Sequence, residues 1–157
     1  GFNGKEFNMY KLRSMVANAE ELKDKLQEKN EMSGPMFKMK DDPRITKIGK
    51  FIRAHHLDEL PQLWNVLKGD MSFVGPRPER QYFIDQINRE TDDYHYVYLM
   101  RPGITSYATI YNGYTDTMDK MLKRLEYDLD YLDNRSLMLD LKIIVKTVLS
   151  IVSGKKF

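Results

Sequence analysis

The sequence contains no cysteine, so disulfide staples and thiolate metal sites are excluded, and a reducing cytosolic setting fits. A strong charge of one sign is missing too. The 25 basic and 23 acidic residues leave a net +2, which argues against a protein held on nucleic acid by phosphate-backbone charge and leaves room only for a local basic site. Long hydrophobic runs are also absent. The most apolar stretch, Leu137 to Val152, is interrupted by Asp140, Lys142 and Lys146. It falls short of the about 20 apolar residues of a membrane span and reads as a buried or interfacial helix. No repeat, low-complexity tract or linker divides the 157 residues, and with 41% hydrophobic content they suffice for one domain with its own core. The opening GFNGKEFNMY has neither an initiator Met nor a signal peptide, so the chain is expected to be a piece of something longer.

Periodicity supplies the elements. Phe7 to Arg13 is a short aromatic-rich run expected to be a strand, with Lys11 and Arg13 at alternate positions of one face. Met15, Ala19, Leu22 and Leu26 recur at helical spacing and predict an exposed helix over Met15 to Asn30. Met36 to Lys40 reads as irregular or strand-like, and Asp42-Pro43 as a turn. Ile45, Ile48 and Ile52 mark a short helix that delivers Arg53. In LDELPQLWNVL, Leu57, Leu60, Leu63, Trp64 and Leu67 form one apolar helical face, and Lys68-Gly69 is the stop. With Asp58 as N-cap, Pro61 falls in the first turn, where no intrahelical N–H bond is lost. Gly75-Pro76-Arg77-Pro78 predicts a stiff loop able to aim an arginine. Glu79 to Glu90 reads as a helix, Thr91 to Met100 has no clear pattern, and Ile104 to Tyr111 is expected to be a strand. Two helices close the chain: Thr117 to Leu132, then Ser136 to Ser153 with Ser136 as N-cap and Gly154 as terminator. The fold class is α/β, predominantly helical with a few short strands.

The candidate chemistry centres on Asp58 and Glu59. Adjacent carboxylates at a helix start meet unsatisfied N–H groups and the positive end of the helix dipole, and a plain capping role accounts for most such pairs. Here Arg53 precedes them and Arg77 sits in the proline-braced loop. Guanidinium forks bind phosphate, while a carboxylate pair can hold a divalent cation or attack phosphorus. Lys11 and Arg13 could contact phosphate, although a solvated strand face is the commoner role of such charges. His55 and His56, adjacent on a helix, face different ways and do not make a metal site alone.

Taken together, MYKLRSM (Met9 to Met15), KMKDDPRITKIGKFIR (Lys38 to Arg53), LDELPQLWNVLKGDMSFVGPRPE (Leu57 to Glu79), RPGIT (Arg101 to Thr105) and NRSLMLDLKIIVKTVL (Asn134 to Leu149) resemble the bacterial sugar transferases, the monotopic phosphoglycosyl transferases. The resemblance spans nearly the whole chain, residues 1–157. It implies a catalytic domain, with amphipathic membrane-facing helices, that moves a hexose 1-phosphate from a UDP-sugar to undecaprenyl phosphate and so starts an exopolysaccharide, capsule or O-antigen. It implies Asp58 as nucleophile, Asp58 and Glu59 as ligands of Mg²⁺, and Arg53 and Arg77 as residues that meet substrate phosphates; Lys11, Arg13 and Arg101 are further candidates for phosphate contact. The expected location is the cytoplasmic face of the bacterial inner membrane, with the family's N-terminal re-entrant helix absent from this chain. Two departures stand out. His56 replaces the family's usual Ser or Thr before Leu57, and Ser106 to Tyr114 replaces a Gly-rich continuation. A non-catalytic membrane scaffold for glycan assembly and a metal-dependent phosphodiesterase are the competing expectations.

Overall fold

The structure, a computed structural model, describes residues 1–26, 39, 41–113, 115 and 117–153. Helices dominate: α1 (Ala19–Lys25), α2 (Lys47–Ala54), α3 (Gln62–Lys68), α4 (Gln81–Glu90), α5 (Tyr107–Asn112), α6 (Met118–Asn134) and α7 (Leu137–Val152). Two short strands, β1 (Ser72–Val74) and β2 (Gly103–Thr105), pair in parallel with Ser72 opposite Gly103 and Val74 opposite Thr105. This is the helix-rich α/β class that the sequence implies. Hydroxyl caps start α2, α5, α6 and α7: Thr46, Ser106, Thr117 and Ser136 each accept from an N–H three residues on. Among the described residues no helix is long and apolar enough to cross a membrane.

The long helix α6 belongs to two cores. Met121 and Leu125 pack with Ile84 and Ile87 of α4 and with Tyr94 and Val97 of the 3₁₀ turns Asp93–Leu99, the stretch without a clear pattern in the sequence. Further along, Tyr131 packs with Val74 of β1, Met100 and Ile143 of α7. Both strands therefore lie against α7, and the loop after β1 is carried to the α6 side. That loop is pinned at its root. Gly75 N–H donates to Thr105 O at 3.1 Å, and Gly103 N–H to Pro76 O at 2.9 Å. A Cβ on Gly75 would lie 2.3 Å from the Arg101 carbonyl oxygen, so only glycine lets the two strands approach this closely.

Two expected strands fail, and a third element shows a face that its period left open, each for a physical reason. Phe7 to Arg13 joins no sheet; its backbone is held by the fully buried side chain of Asn65, whose Oδ1 accepts from Tyr10 N–H at 3.1 Å and whose Nδ2 donates to Asn8 O at 2.8 Å. Leu12 N–H donates to Asp58 O at 2.9 Å, and among the described residues the one isolated bridge lies beyond the segment, between Met15 and Ile45. The Ile104 to Tyr111 strand stops at Thr105, because Ser106 Oγ accepts from Thr109 N–H and begins α5. The apolar face of α3 points outward: Gln62 and Asn65 are buried, whereas Trp64 is 58% and Leu67 78% exposed. The helix expected from Met15 begins only at Ala19, and residues 27–30 lie outside the described residues. So do Met36 to Lys40, apart from Met39, and Gly154.

Because Asn65 substitutes for a neighbouring strand, Asn65→Ala strands the Tyr10 N–H and the Asn8 carbonyl. Its expected cost is about 2–3 kcal/mol of unfolding free energy, read by urea denaturation. An unchanged midpoint would mean that those backbone groups find other partners.

Candidate active site

The dyad is delivered by a sharp break after α2. His56 adopts φ 55° and ψ 21°, a left-handed conformation that costs a non-glycine residue about 1 kcal/mol or more. A 3₁₀ turn, Leu57–Glu59, follows, and α3 starts only at Gln62, with Pro61 in the capping position. Asp58 is thus not the N-cap of α3. Pro61 in the capping position and the left-handed entry at His56 keep the dyad off the helix and place Asp58, half-buried, on the short turn before it. His55 and His56 diverge as expected of neighbours: the His55 ring packs on Phe51 with centroids 4.4 Å apart, and His56 turns toward the dyad's cavities.

The two carboxylates are treated differently. Glu59 Oε1 accepts from Arg77 Nη2 at 2.6 Å and from Lys11 Nζ at 2.9 Å. Burial alone would raise the Glu59 pKa, but the hydrogen bond and charge of Arg77, with Lys11 beside it, hold it at about 2. Burial pulls the other way on Arg77, and the Glu59 carboxylate keeps its guanidinium firmly protonated. The half-buried Asp58 side chain accepts no hydrogen bond among the described residues, although its charge acts on Arg77. One carboxylate is locked in place and the other is left available.

Around Asp58 lies an open basin of about 460 Å³ lined by Lys11, Arg13, Ser14, Arg53, Glu59 and Arg77, among others. Arg53 Nε donates to Ser14 Oγ at 2.7 Å. Ser14 is itself fixed by Thr46 N–H on its carbonyl, and a Cβ on Gly49 would lie 1.9 Å from that oxygen. Lys11, Arg13, Arg53, Asp58, Glu59 and Arg77 are thereby brought together. Arg101 is not. It lines a separate depression with Tyr131 and Arg135, with its guanidinium 5.9 Å from the Phe2 ring centroid.

Ser14 and Arg124 belong to the site and were not singled out in the sequence. Arg124 of α6 donates to Arg77 O at 3.0 Å and pairs with Glu79 at 3.3 Å, bracing the loop that aims Arg77. Within a leucine-rich helical pattern an arginine reads as solvated, and only the long-range fold shows otherwise. Beneath it, the buried Asp128 has Oδ2 3.9 Å from Arg124 Nε, and its Oδ1 has no hydrogen-bond partner among the described residues. Burial pushes its carboxyl up to about 7, against a partial pull from Arg124. Between the ordinary value of 3.8 and about 7, the native state therefore binds the proton that the unfolded state releases, and stability falls as pH rises. Asp128→Asn is expected to match the parent below about pH 4 and to melt increasingly above it as pH rises, with a plateau beyond about pH 7 worth a few kcal/mol. Calorimetry across pH checks this; a constant difference would remove Asp128 as the titrating group.

Among the described residues no group of three or more His, Cys, Asp or Glu could hold a metal. Two adjacent hard carboxylates, one with Oε1 already engaged, fit an octahedral cation such as Mg²⁺ only if substrate oxygens and water complete its shell.

Residues 1–154 match the family model described as bacterial sugar transferase. The chain belongs to the bacterial sugar transferase family. Across 154 residues it is 42% identical to a UDP-N-acetylgalactosamine-undecaprenyl-phosphate N-acetylgalactosaminephosphotransferase of Aeromonas hydrophila, covering 98% of this chain and 34% of the relative. It is 43% identical over 150 residues to a UDP-glucose:undecaprenyl-phosphate glucose-1-phosphate transferase of Klebsiella pneumoniae (94% of this chain, 30% of the relative). Over 151 residues it is 42% identical to an undecaprenyl-phosphate galactose phosphotransferase of Salmonella typhimurium (94% and 30%). The chain thus spans about a third of the length of these family members.

Proposed function

We propose that this chain carries the reaction centre of a transferase that moves a hexose 1-phosphate from a UDP-sugar to undecaprenyl phosphate. The observation that supports it is a carboxylate, Asp58, with no hydrogen bond among the described residues, set among Lys11, Arg13, Arg53 and Arg77 in one open basin. Those cations suit a diphosphate, whose charge must be neutralised as it is transferred. The relatives' names give the same acceptor with three different sugars at 42–43% identity, so overall similarity does not select the sugar.

In this reading an Asp58 carboxylate oxygen attacks the β-phosphorus of the donor. The bond from that phosphorus to the bridging oxygen breaks, and UMP leaves with the electron pair. The sugar phosphate is then an acyl phosphate on Asp58. A phosphate oxygen of undecaprenyl phosphate attacks the same phosphorus, the bond to Asp58 breaks, and the free carboxylate returns. Covalent catalysis of this kind replaces one hard displacement with two easier ones. The acceptor is a phosphate monoester with a second pKa of about 6, already largely a dianion near neutral pH, so no strong base is required. Arg77 and Arg53 stabilise charge on the transferring and leaving oxygens. Glu59 keeps Arg77 aimed and, with Asp58, is the candidate ligand for Mg²⁺, which would lower the charge of the diphosphate.

The outward apolar residues of α3 and α7, among them Trp64, Leu67, Val148 and Val152, support seating on the inner-leaflet surface of the bacterial inner membrane, where this acceptor would reside. The full-length protein, incubated with a panel of UDP-sugars, should release UMP and form the lipid-linked product with undecaprenyl phosphate. Sugar phosphate appearing in water with no need for lipid would instead indicate a phosphodiesterase. No release with any UDP-sugar would indicate a scaffold.

A further inference from the structure

The Glu59–Arg77 ion pair is a partition as well as a brace. On one side lies the cationic basin that holds Asp58; on the other lies a second cavity, of about 530 Å³, which Glu59 and Arg77 also line. Its walls differ in kind. Leu60 and Leu63 line it from around the start of α3, Ile104 and Ala108 from β2 and α5, and Ile151 from α7. Four threonines line it as well, Thr105, Thr109, Thr115 and Thr147, and three of their hydroxyls are engaged. Thr147 Oγ1 donates to Ile143 O at 2.9 Å, so the 2.7 Å contact between Thr105 and Thr147 is a donation from Thr105. Thr109 Oγ1 is bonded to Ser106 Oγ at 2.7 Å. The charged groups at the floor, Arg77 with Glu59 and Arg124 with Glu79, neutralise each other.

Such a chamber is a poor host for a nucleoside or a sugar. Among the described residues no Phe, Tyr or Trp ring lines it for a base to stack on, and beside His56 and Thr115 few polar groups remain to meet sugar hydroxyls. It suits a branched hydrocarbon. Its apolar lining also leads outward along both helices: Leu60 and Leu63 continue into the exposed Trp64 and Leu67, and Ile151 adjoins the exposed Val148 and Val152. We propose that this cavity seats the first isoprene units of the acceptor lipid, so that its phosphate meets the partition from the side opposite the donor diphosphate. The inference rests on the proposed transferase reading and adds a separate chamber for each substrate.

Leu63 and Ile151 are each about two-fifths exposed, so a larger side chain at either position narrows the cavity without entering a core. Leu63→Trp and Ile151→Trp in the full-length protein are compared with the parent in two measurements. One is the burst of UMP in the absence of lipid, which reads the donor half-reaction. The other is the KM for geranyl phosphate, a soluble prenyl phosphate that needs no membrane seating. The expected result is a rise in geranyl phosphate KM that exceeds any loss of burst amplitude or rate by about tenfold or more. A burst that falls as much as the acceptor KM rises, or an unchanged acceptor KM, overturns the lipid chamber while leaving the transferase reading intact. A parent with no UMP burst overturns both.

Discussion

Asp58→Asn is expected to lower UMP release and lipid product by about 10⁴-fold or more, with no covalent phosphosugar detectable after denaturing quench and mass measurement. That magnitude is what removal of a covalent nucleophile costs when the rest of the machinery is intact. The substitution is nearly isosteric and the side chain is half-buried with no hydrogen bond among the described residues, so the fold should be unaffected. It leaves the Glu59 contacts to Arg77 and Lys11 in place, and the donor should still bind. The readout therefore separates chemistry from binding: kcat collapses while donor affinity, measured by calorimetric titration, changes by less than about tenfold. Turnover within about tenfold of the parent would remove Asp58 as the nucleophile, and an acyl phosphate found on another carboxylate would relocate it.

The parts of this molecule visible in its sequence are those fixed by local physics. Thr117 and Ser136 announce α6 and α7 because a cap and a 3.6-residue apolar period are local properties. Gly75-Pro76-Arg77-Pro78 reads as a stiff loop for the same reason, and it is one. What local reasoning missed depends on distant partners. Asn8 to Tyr10 has the composition of a strand, but its neighbour is an amide side chain 55 residues along from Tyr10. The apolar stripe of α3 has the period of a core helix, and period alone does not say which face meets the protein; the buried residues turned out to be Gln62 and Asn65. At the site, the grouping of Arg53, Asp58, Glu59 and Arg77 was accessible through the long ordered motifs. The exclusion of Arg101 was not, because its motif serves the other end of β2. The bracing by Ser14 and Arg124 was hidden too, since each acts through a hydrogen bond that spans more than 35 residues.

Arg77→Gln is the second substitution with a large expected effect, and it tests whether the partition between the two cavities matters to catalysis. In the proposed reaction, removing the guanidinium deletes a donor from the transferring phosphoryl group, which typically costs about 10²–10³-fold in turnover. It also leaves Glu59, whose side chain is only 16% exposed, with Lys11 as its remaining partner. Burial, which raises the Glu59 pKa, is then opposed by less, and the carboxyl should climb from its value of about 2. The sign for stability follows. In the parent, a depressed carboxyl contributes stability that is full above its ordinary value of 4.5 and is lost as pH falls toward about 2. In the variant that contribution shrinks, so the melting temperatures of the two proteins should differ most near neutral pH and converge in acid. Arg77→Lys keeps a charge but loses the fork that can hold Glu59 and a phosphate oxygen together. It should recover much of the stability and little of the turnover. Full recovery of turnover by lysine would show that a point charge suffices at residue 77, and the two-sided role of this guanidinium would then be withdrawn.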